Sequence, residues 1–254
     1  MTEYEPARGA IGKVVVVTGG AQGIGYAICK AFVASGAEVI VADINETVGA
    51  AAAETLKASF VRLDVTDGAS VTAAAKEVVE KFGRVDVLVN NAGVTHEDPA
   101  LEVPDATWAR ILDINLTGAF RASREFGGYF VKQGSGSIVN LSSISAFIGT
   151  NPEFHVAYDV SKAGVSQLTR SLAVEWACHG IRVNAVAPGR TRTPILDGVG
   201  NDNPSRMEEW VAQVPQRRIL SPEEIASAVF FLALDSSSAV TGHTLLVDGG
   251  HVVS

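Results

Sequence analysis

The chain has 254 residues, 47% of them hydrophobic, with a formal net charge of -8. The acidic balance excludes nucleic-acid binding that rests on cationic neutralisation of phosphates, and no apolar run approaches the ~18 residues that span a bilayer. The first twelve residues are polar and mixed in charge, with neither a signal-type apolar core nor an Arg-rich transit pattern, so a cytoplasmic protein without membrane partners is expected.

The predicted elements alternate. A continuous β-branched run over 13–17 predicts a strand buried on both faces, closing in Thr18-Gly19-Gly20. A helical pattern opens at Gly23-Ile24-Gly25 and runs to Ser35. A strand over 38–42 ends in Asp43, and an Ala-rich helix over 45–57 has Asn45 as its cap. A short strand over 60–63 ends in Asp64, followed by a helix over 67–82. A strand over 85–89 ends in Asn90-Asn91-Ala92-Gly93. A long helical region covers 105–132, and a strand over 137–141 ends in Ser142-Ser143. Apolar residues at three- and four-residue spacing, among them Val160, Ala163, Leu168, Leu172, Ala173 and Trp176, predict an amphipathic or buried helix over 157–178. A strand over 182–186 leads to Pro188-Gly189. A helix over 221–234 follows, capped by Ser221 with Pro222 at its first position, and the last strand covers 244–247.

Strands and helices thus alternate from end to end, as in parallel βαβ units with helices on both faces of one sheet. We expect one α/β domain over 1–254, with a polar tail at 1–11. The region 193–215, rich in Asn, Asp, Pro and Gly, is expected to form a substrate lid that includes Met207 and Trp210 in a short helix. Cys29 and Cys178 lack CxxC or ligand spacing and are expected to be buried. His96, His179, His243 and His251 show no metal-ligand spacing, so no metal is expected.

Open parallel sheets bind ligands at the carboxyl ends of their strands, where the unusual residues cluster. The turn Thr18-Gly19-Gly20-Ala21-Gln22-Gly23-Ile24-Gly25 lets backbone approach a pyrophosphate at a helix N-terminus. A carboxylate at Asp43 accepts the hydroxyls of an adenosine ribose and repels a 2′-phosphate. No Arg or Lys adjoins Asp43 in the sequence and Gln22 stands in the turn, so NAD is expected over NADP. Tyr158 and Lys162 stand four apart on one helix, so their polar ends share a face. A neighbouring cation lowers a phenol's pKa from about 10 and prepares it for proton transfer.

This ordered set resembles the short-chain dehydrogenase/reductase family over residues 13–250, nearly the whole chain. TGxxxGxG appears as Thr18, Gly19, Gly23 and Gly25; NNAG appears as Asn90, Asn91, Ala92 and Gly93. Asp64-Val65 matches the adenine-contacting pair, and Asn115 the active-site Asn of a distorted helix turn. Ser143 matches the catalytic Ser, Tyr158 and Lys162 the YxxxK pair, and Pro188-Gly189 with Thr193 the segment beside the nicotinamide. The resemblance implies a single Rossmann-type doubly wound sheet of about seven strands. It implies cofactor contacts from Gly19, Gln22, Gly23, Ile24, Gly25, Asp43, Ile44, Asp64, Val65, Asn91, Ala92, Gly93, Tyr158, Lys162, Pro188, Gly189, Thr191 and Thr193. Tyr158 is then the acid/base, Lys162 lowers its pKa and holds the nicotinamide ribose, Ser143 steadies the substrate oxygen, and Asn115 carries a relay water.

Ser143 and Tyr158 are 15 residues apart, and the stretch between them borders the substrate. Asn151-Pro152 with Phe154 resembles the sugar-alcohol (polyol) dehydrogenases of the family, with Ser143, Ser145, Asn151, Glu153, His155 and Tyr158 as candidate substrate contacts. The lid residues Ile195, Leu196, Met207 and Trp210 equally suit an apolar ketone. Arg190, Arg192, Arg206, Arg217 and Arg218 keep a 3-oxoacyl-(acyl-carrier-protein) thioester reductase open. A non-catalytic NAD-binding sensor is the reading from another class. The resemblance also implies a homotetramer that pairs the helices over 105–132 and 157–178, with a second contact through 221–234 and the last strand.

Overall fold

The structure, a computed structural model, describes residues 9–193 and 204–254. In chain order the elements are β1 (Val14–Thr18), α1 (Gly23–Ala34), β2 (Glu38–Asp43), α2 (Glu46–Leu56), β3 (Ser59–Arg62), α3 (Gly68–Phe82) and β4 (Val87–Asn90). Then come α4 (Asp105–Leu112), a π-helical turn (Asp113–Thr117), α5 (Gly118–Gln133), β5 (Gly136–Leu141), α6 (Val156–Trp176) and β6 (Ile181–Pro188). The last are α7 (Pro204–Gln213), α8 (Pro222–Ala233) and β7 (Thr244–Val247). The seven strands form one sheet of order β3-β2-β1-β4-β5-β6-β7, and every pairing is parallel. The order reverses between β1 and β4, which opens a crevice at their carboxyl ends.

The continuous β-branched run of β1 is explained by burial on both faces. Val15 and Val17 join one core with Ile28, Phe32, Val229 and Leu232. Val14 and Val16 join the other with Ile40, Leu88, Phe126 and Phe130. A strand alternates its side chains, so both registers must be apolar. Asn45 caps α2 by accepting from Val48 N at 3.1 Å, as expected. Ser221 and Glu224 form a reciprocal capping box at α8 with Pro222 at the start.

The distorted helix turn that the resemblance implied at Asn115 is the π-helical turn between α4 and α5. Two expectations need correction. In α6 the stripe read as apolar is only half right. Leu172 and Ala173 are buried, but Val160 and Ala163 face outward, and the inner face also takes Ser161, Lys162, Ser166 and Thr169. Those polar groups are paired: Thr169 Oγ1 accepts from Asn140 at 2.8 Å and Ser166 bonds Ser142 at 2.7 Å, which fixes α6 against β5. Cys29 is buried, and desolvation pushes its thiol up to about 12, whereas Cys178 is exposed. Of the expected lid, Thr193, α7 and the residues after it are described, while residues 194–203, including Ile195, Leu196 and Asp197, lie outside the described residues. Among the described residues no helix is long and apolar enough to cross a membrane.

Candidate active site

The crevice at the strand ends is a cavity of about 880 Å³. It is lined by all eighteen residues expected to hold a dinucleotide, from Gly19 through Asp43, Asp64 and Gly93 to Tyr158, Lys162, Pro188 and Thr193. Gly19 and Gly23 adopt left-handed backbone at φ +62° and +56°, which glycine tolerates. A Cβ at Gly25 would lie 2.2 Å from the Gly19 carbonyl oxygen, so α1 approaches the turn as only glycine permits. Gln22 gives α1 no side-chain cap. The first N–H groups of the helix are thus left to a bound anion, with the helix dipole favouring negative charge. These features fit a pyrophosphate.

Asn91 ties this turn to the end of β4. Its amide donates to Thr18 O at 3.0 Å and Gly19 O at 2.9 Å, while the Thr18 hydroxyl accepts from Asn91 N and Ala92 N, both at 3.1 Å. Asp43 is held by Ala21 N at 3.2 Å and Asn45 N at 3.0 Å, its carboxylate lining the cavity. The sheet brings in a cation that sequence adjacency hid. Arg62 stands opposite Asp43 in the β2–β3 ladder and pairs with Glu46 at 3.1 Å. Asp64 Oδ1 accepts from Thr66 N at 2.9 Å and Thr66 Oγ1 at 2.7 Å, so that carboxylate too is fixed.

At the other strand ends, Tyr158 and Lys162 line the same cavity from the first turns of α6. Lys162 Nζ lies 5.6 Å from the Tyr158 ring centroid and donates to Leu141 O at 2.7 Å. Desolvation by burial lowers the Lys162 ammonium to about 8. Desolvation likewise raises the Tyr158 phenol above its ordinary value, with the Ser143 hydroxyl offsetting part of the rise and Asp159 adding to it. Ser143 is buried at the end of β5, where its Oγ accepts from Ser145 N at 3.2 Å. Asn115 does not line the cavity. Its Oδ1 accepts from Val94 N at 2.8 Å, and its Nδ2 donates to Val94 O at 2.9 Å and Ser161 Oγ at 3.0 Å. It fixes the loop after Gly93 against α6.

The expected substrate contacts separate into two groups. Ser143 stays beside Tyr158, Ser145 donates its backbone N–H to Ser143 Oγ, and Asn151 is exposed with its carbonyl accepting from Gln213 Nε2 at 2.8 Å. Glu153 and His155 have their polar atoms engaged by protein groups. Glu153 accepts from both terminal nitrogens of Arg190 at 2.9 and 3.2 Å and from Trp210 Nε1. His155 Nδ1 pairs with Asp159 at 2.7 Å and its Nε2 with Thr150 Oγ1 at 3.1 Å, its ring edge-on to Tyr158 at 5.3 Å. The arginines expected as a basic cluster are likewise tied down. Arg206 pairs with Glu97 at 2.7 Å, Arg218 with Glu224 at 2.7 Å, and Arg217 donates to Ala212 O at 2.6 Å. Sequence reasoning missed Arg190, Arg110 and Ile114 as cavity-lining groups. Only the position of Arg190 directly after Gly189, and of Ile114 directly before Asn115, gave a signal.

The family model described as "Enoyl-(Acyl carrier protein) reductase" matches residues 19–252. The galactitol 2-dehydrogenase (L-tagatose-forming) of Cereibacter sphaeroides is 44% identical, covering 95% of this chain and 96% of its own. A 3-oxoacyl-[acyl-carrier-protein] reductase of Chlamydia pneumoniae is 38% identical, covering 94% of this chain and 97% of its own. The crystal structure of gox2181 superposes with a TM-score of 0.95 at 42% identity, over 97% of this chain and 98% of that one.

Proposed function

The chain belongs to the short-chain dehydrogenase/reductase family, oxidoreductases that act on alcohol groups with a nicotinamide cofactor, and on that premise we propose that it interconverts a polyol and its keto form with NAD(H). The observation that carries this reading is the single cavity with Asp43 at one wall and Tyr158 and Lys162 at another. Asp43 offers a fixed carboxylate to a ribose diol and repels a 2′-phosphate.

Bound in this cavity, the nicotinamide supplies the hydride acceptor or donor. Tyr158 takes the hydroxyl proton of the alcohol during oxidation and returns it during reduction. Burial raises its pKa in the cofactor-free protein, and the neighbouring Lys162 cation favours the phenolate; a positively charged nicotinamide would add to that. Ser143 donates to the substrate oxygen, where negative charge develops in the reductive direction. Lys162 is aimed by the Leu141 carbonyl, and Asn115 holds the Val94 backbone in register with α6.

The runner-up is reduction of a 3-oxoacyl thioester on a carrier protein, supported by the Chlamydia pneumoniae relative. Against it stand Asp43 and the pairing of Arg206 and Arg218 with carboxylates, since an acidic carrier requires free cations. A sensor without activity is disfavoured by Ser143, Tyr158 and Lys162 standing together. The test is NAD⁺ reduction with hexitols, pentitols, hydroxy acids and simple secondary alcohols, beside NADPH oxidation with a 3-oxoacyl thioester. Polyol-dependent NADH formation is expected; thioester reduction alone would transfer the assignment to the runner-up. No turnover alongside tight NADH binding would favour the sensor.

A further inference from the structure

Arg190 follows Gly189 at the end of β6 and lines the cavity with Tyr158 and Lys162. A guanidinium in such a wall presents a planar fork that matches a carboxylate in bidentate fashion. Here the fork is already filled. Glu153 engages both terminal nitrogens, the two side chains being 9% and 6% exposed, and the guanidinium carbon lies 4.8 Å from the centroid of the Trp210 ring. Arg190 Nη2 also donates to Asn151 O and Gln213 Oε1, both at 3.3 Å, so β6, the loop before α6 and helix α7 meet on one cation. Among the described residues its Nε is buried without a partner. Other titratable groups acting on this cluster include Arg206, His251 and Asp248; Arg206 pairs with Glu97, and Asp248 is occupied by Gly250 N at 2.9 Å and Val252 N at 2.8 Å.

We infer that Glu153 is a specificity-determining residue: its carboxylate fills Arg190 from within the protein and thereby reserves the cavity for uncharged polyols against sugar acids. The inference rests on the polyol reading and deepens it. A sugar acid is a polyol whose terminal carbinol is replaced by a carboxylate, so the two classes differ in the one group a free arginine reads. An internal Glu153 blocks that group twice, by occupying the fork and by like-charge repulsion. Burial works against the charged form of Glu153, but the Arg190 hydrogen bonds and charge outweigh it and hold the carboxyl below its ordinary value, so the block is in place at neutral pH. Removing the charge of Glu153 alone leaves a buried guanidinium without its counter-ion, which a ligand carboxylate would replace.

The experiment titrates D-gluconate and D-glucitol, which differ at one terminal carbon, into the enzyme–NADH complex while NADH fluorescence is followed. In the wild type gluconate is expected to bind at least about tenfold more weakly than glucitol. In Glu153→Gln, which keeps the side-chain size and one acceptor oxygen for Arg190 Nη1 and Trp210 Nε1 but releases Arg190 Nη2, gluconate affinity is expected to rise about tenfold. In the double variant Glu153→Gln with Arg190→Gln the gain is expected to vanish. Three results would each overturn the inference: equal binding of both ligands by the wild type, no gain in Glu153→Gln, or a gain that survives loss of Arg190. The wild-type comparison decides even if the variants do not fold. These readouts are binding constants, so a wild type that reduces no NAD⁺ with polyols would defeat the polyol reading without touching the gluconate result in Glu153→Gln. A purely structural role for the pair would lower thermal stability in both variants and leave gluconate affinity unmoved.

Discussion

Lys162 donates its ammonium to the Leu141 carbonyl oxygen at 2.7 Å, deep between β5 and α6. The bond aims the side chain at the cavity but does not remove the desolvation that lowers its pKa to about 8. A buried lysine with a depressed pKa opposes folding at every pH below its folded pKa, because the unfolded chain holds the proton more tightly. Lys162→Met is therefore expected to abolish turnover yet stabilise the cofactor-free protein at pH 7, by on the order of 2 kcal/mol. As pH rises from about 8 toward the unfolded value the wild type sheds this burden, so the gap between the two proteins should narrow. Urea unfolding of both at pH 7 and pH 10 measures it. A variant less stable than wild type at pH 7 would show that the Leu141 bond outweighs desolvation.

The fold was legible because its signals are local and redundant. Valines fill both registers of β1, and the capping residues at Asn45 and Ser221 stand where helices begin. The lining of the strand-end cavity was legible for the same reason, since Gly19, Gly23, Gly25 and Asp43 are set by backbone geometry and a strand end. The substrate side was not. Glu153 and Arg190 are 37 residues apart, and Trp210 reaches Glu153 from 57 residues away. Pairings of that kind belong to the packed chain and leave no spacing to read. The face of α6 was misread because its buried polar residues bond to β5 and a neighbouring loop, and hydropathy assigns such residues to solvent.

Tyr158 separates binding from chemistry. In the proposed mechanism its hydroxyl moves the proton, whereas the residues proposed to hold the dinucleotide, Gly19 to Gly25, Asp43 and Asp64, line a different part of the chain around the same cavity. Tyr158→Phe is expected to keep NADH affinity within a few-fold and to lower kcat about a hundred- to ten-thousand-fold. Fluorescence titration and steady-state rates measure the two effects. Turnover like that of the wild type would sink the acid/base assignment.

Cofactor choice is expected to turn on Asp43. Its carboxylate stands in the β2–β3 ladder beside Arg62, whose charge is shared with Glu46 at 3.1 Å. Replacing Asp43 by Ser removes the like-charge penalty against a 2′-phosphate and leaves the Arg62 cation within the same ladder step. The ratio of NADPH to NADH affinity should rise about tenfold or more. The gain should shrink in high salt, because Arg62 is half-exposed and screened. Equal affinity of the wild type for both dinucleotides would remove the basis of the NAD assignment.

The outward face of α6 carries the last expectation. Val160, Ala163, Gln167, Ser171 and Val174 are exposed and spaced by three or four residues, so they form one stripe along the helix. Val174 is 84% exposed and Val160 43%, and Phe120 on α5 and Trp108 on α4 add further exposed apolar surface. An apolar face of this kind on the outer side of α4 to α6 suits burial against a second copy of the chain. We therefore expect light scattering to return a mass near four times the 26.5 kDa of one chain. Val174→Asp would set two carboxylates into a two-fold contact and should drive the assembly to smaller species, with NADH binding per chain retained. A wild type that elutes as a monomer, or an unchanged mass in Val174→Asp, would rule out this face as the contact.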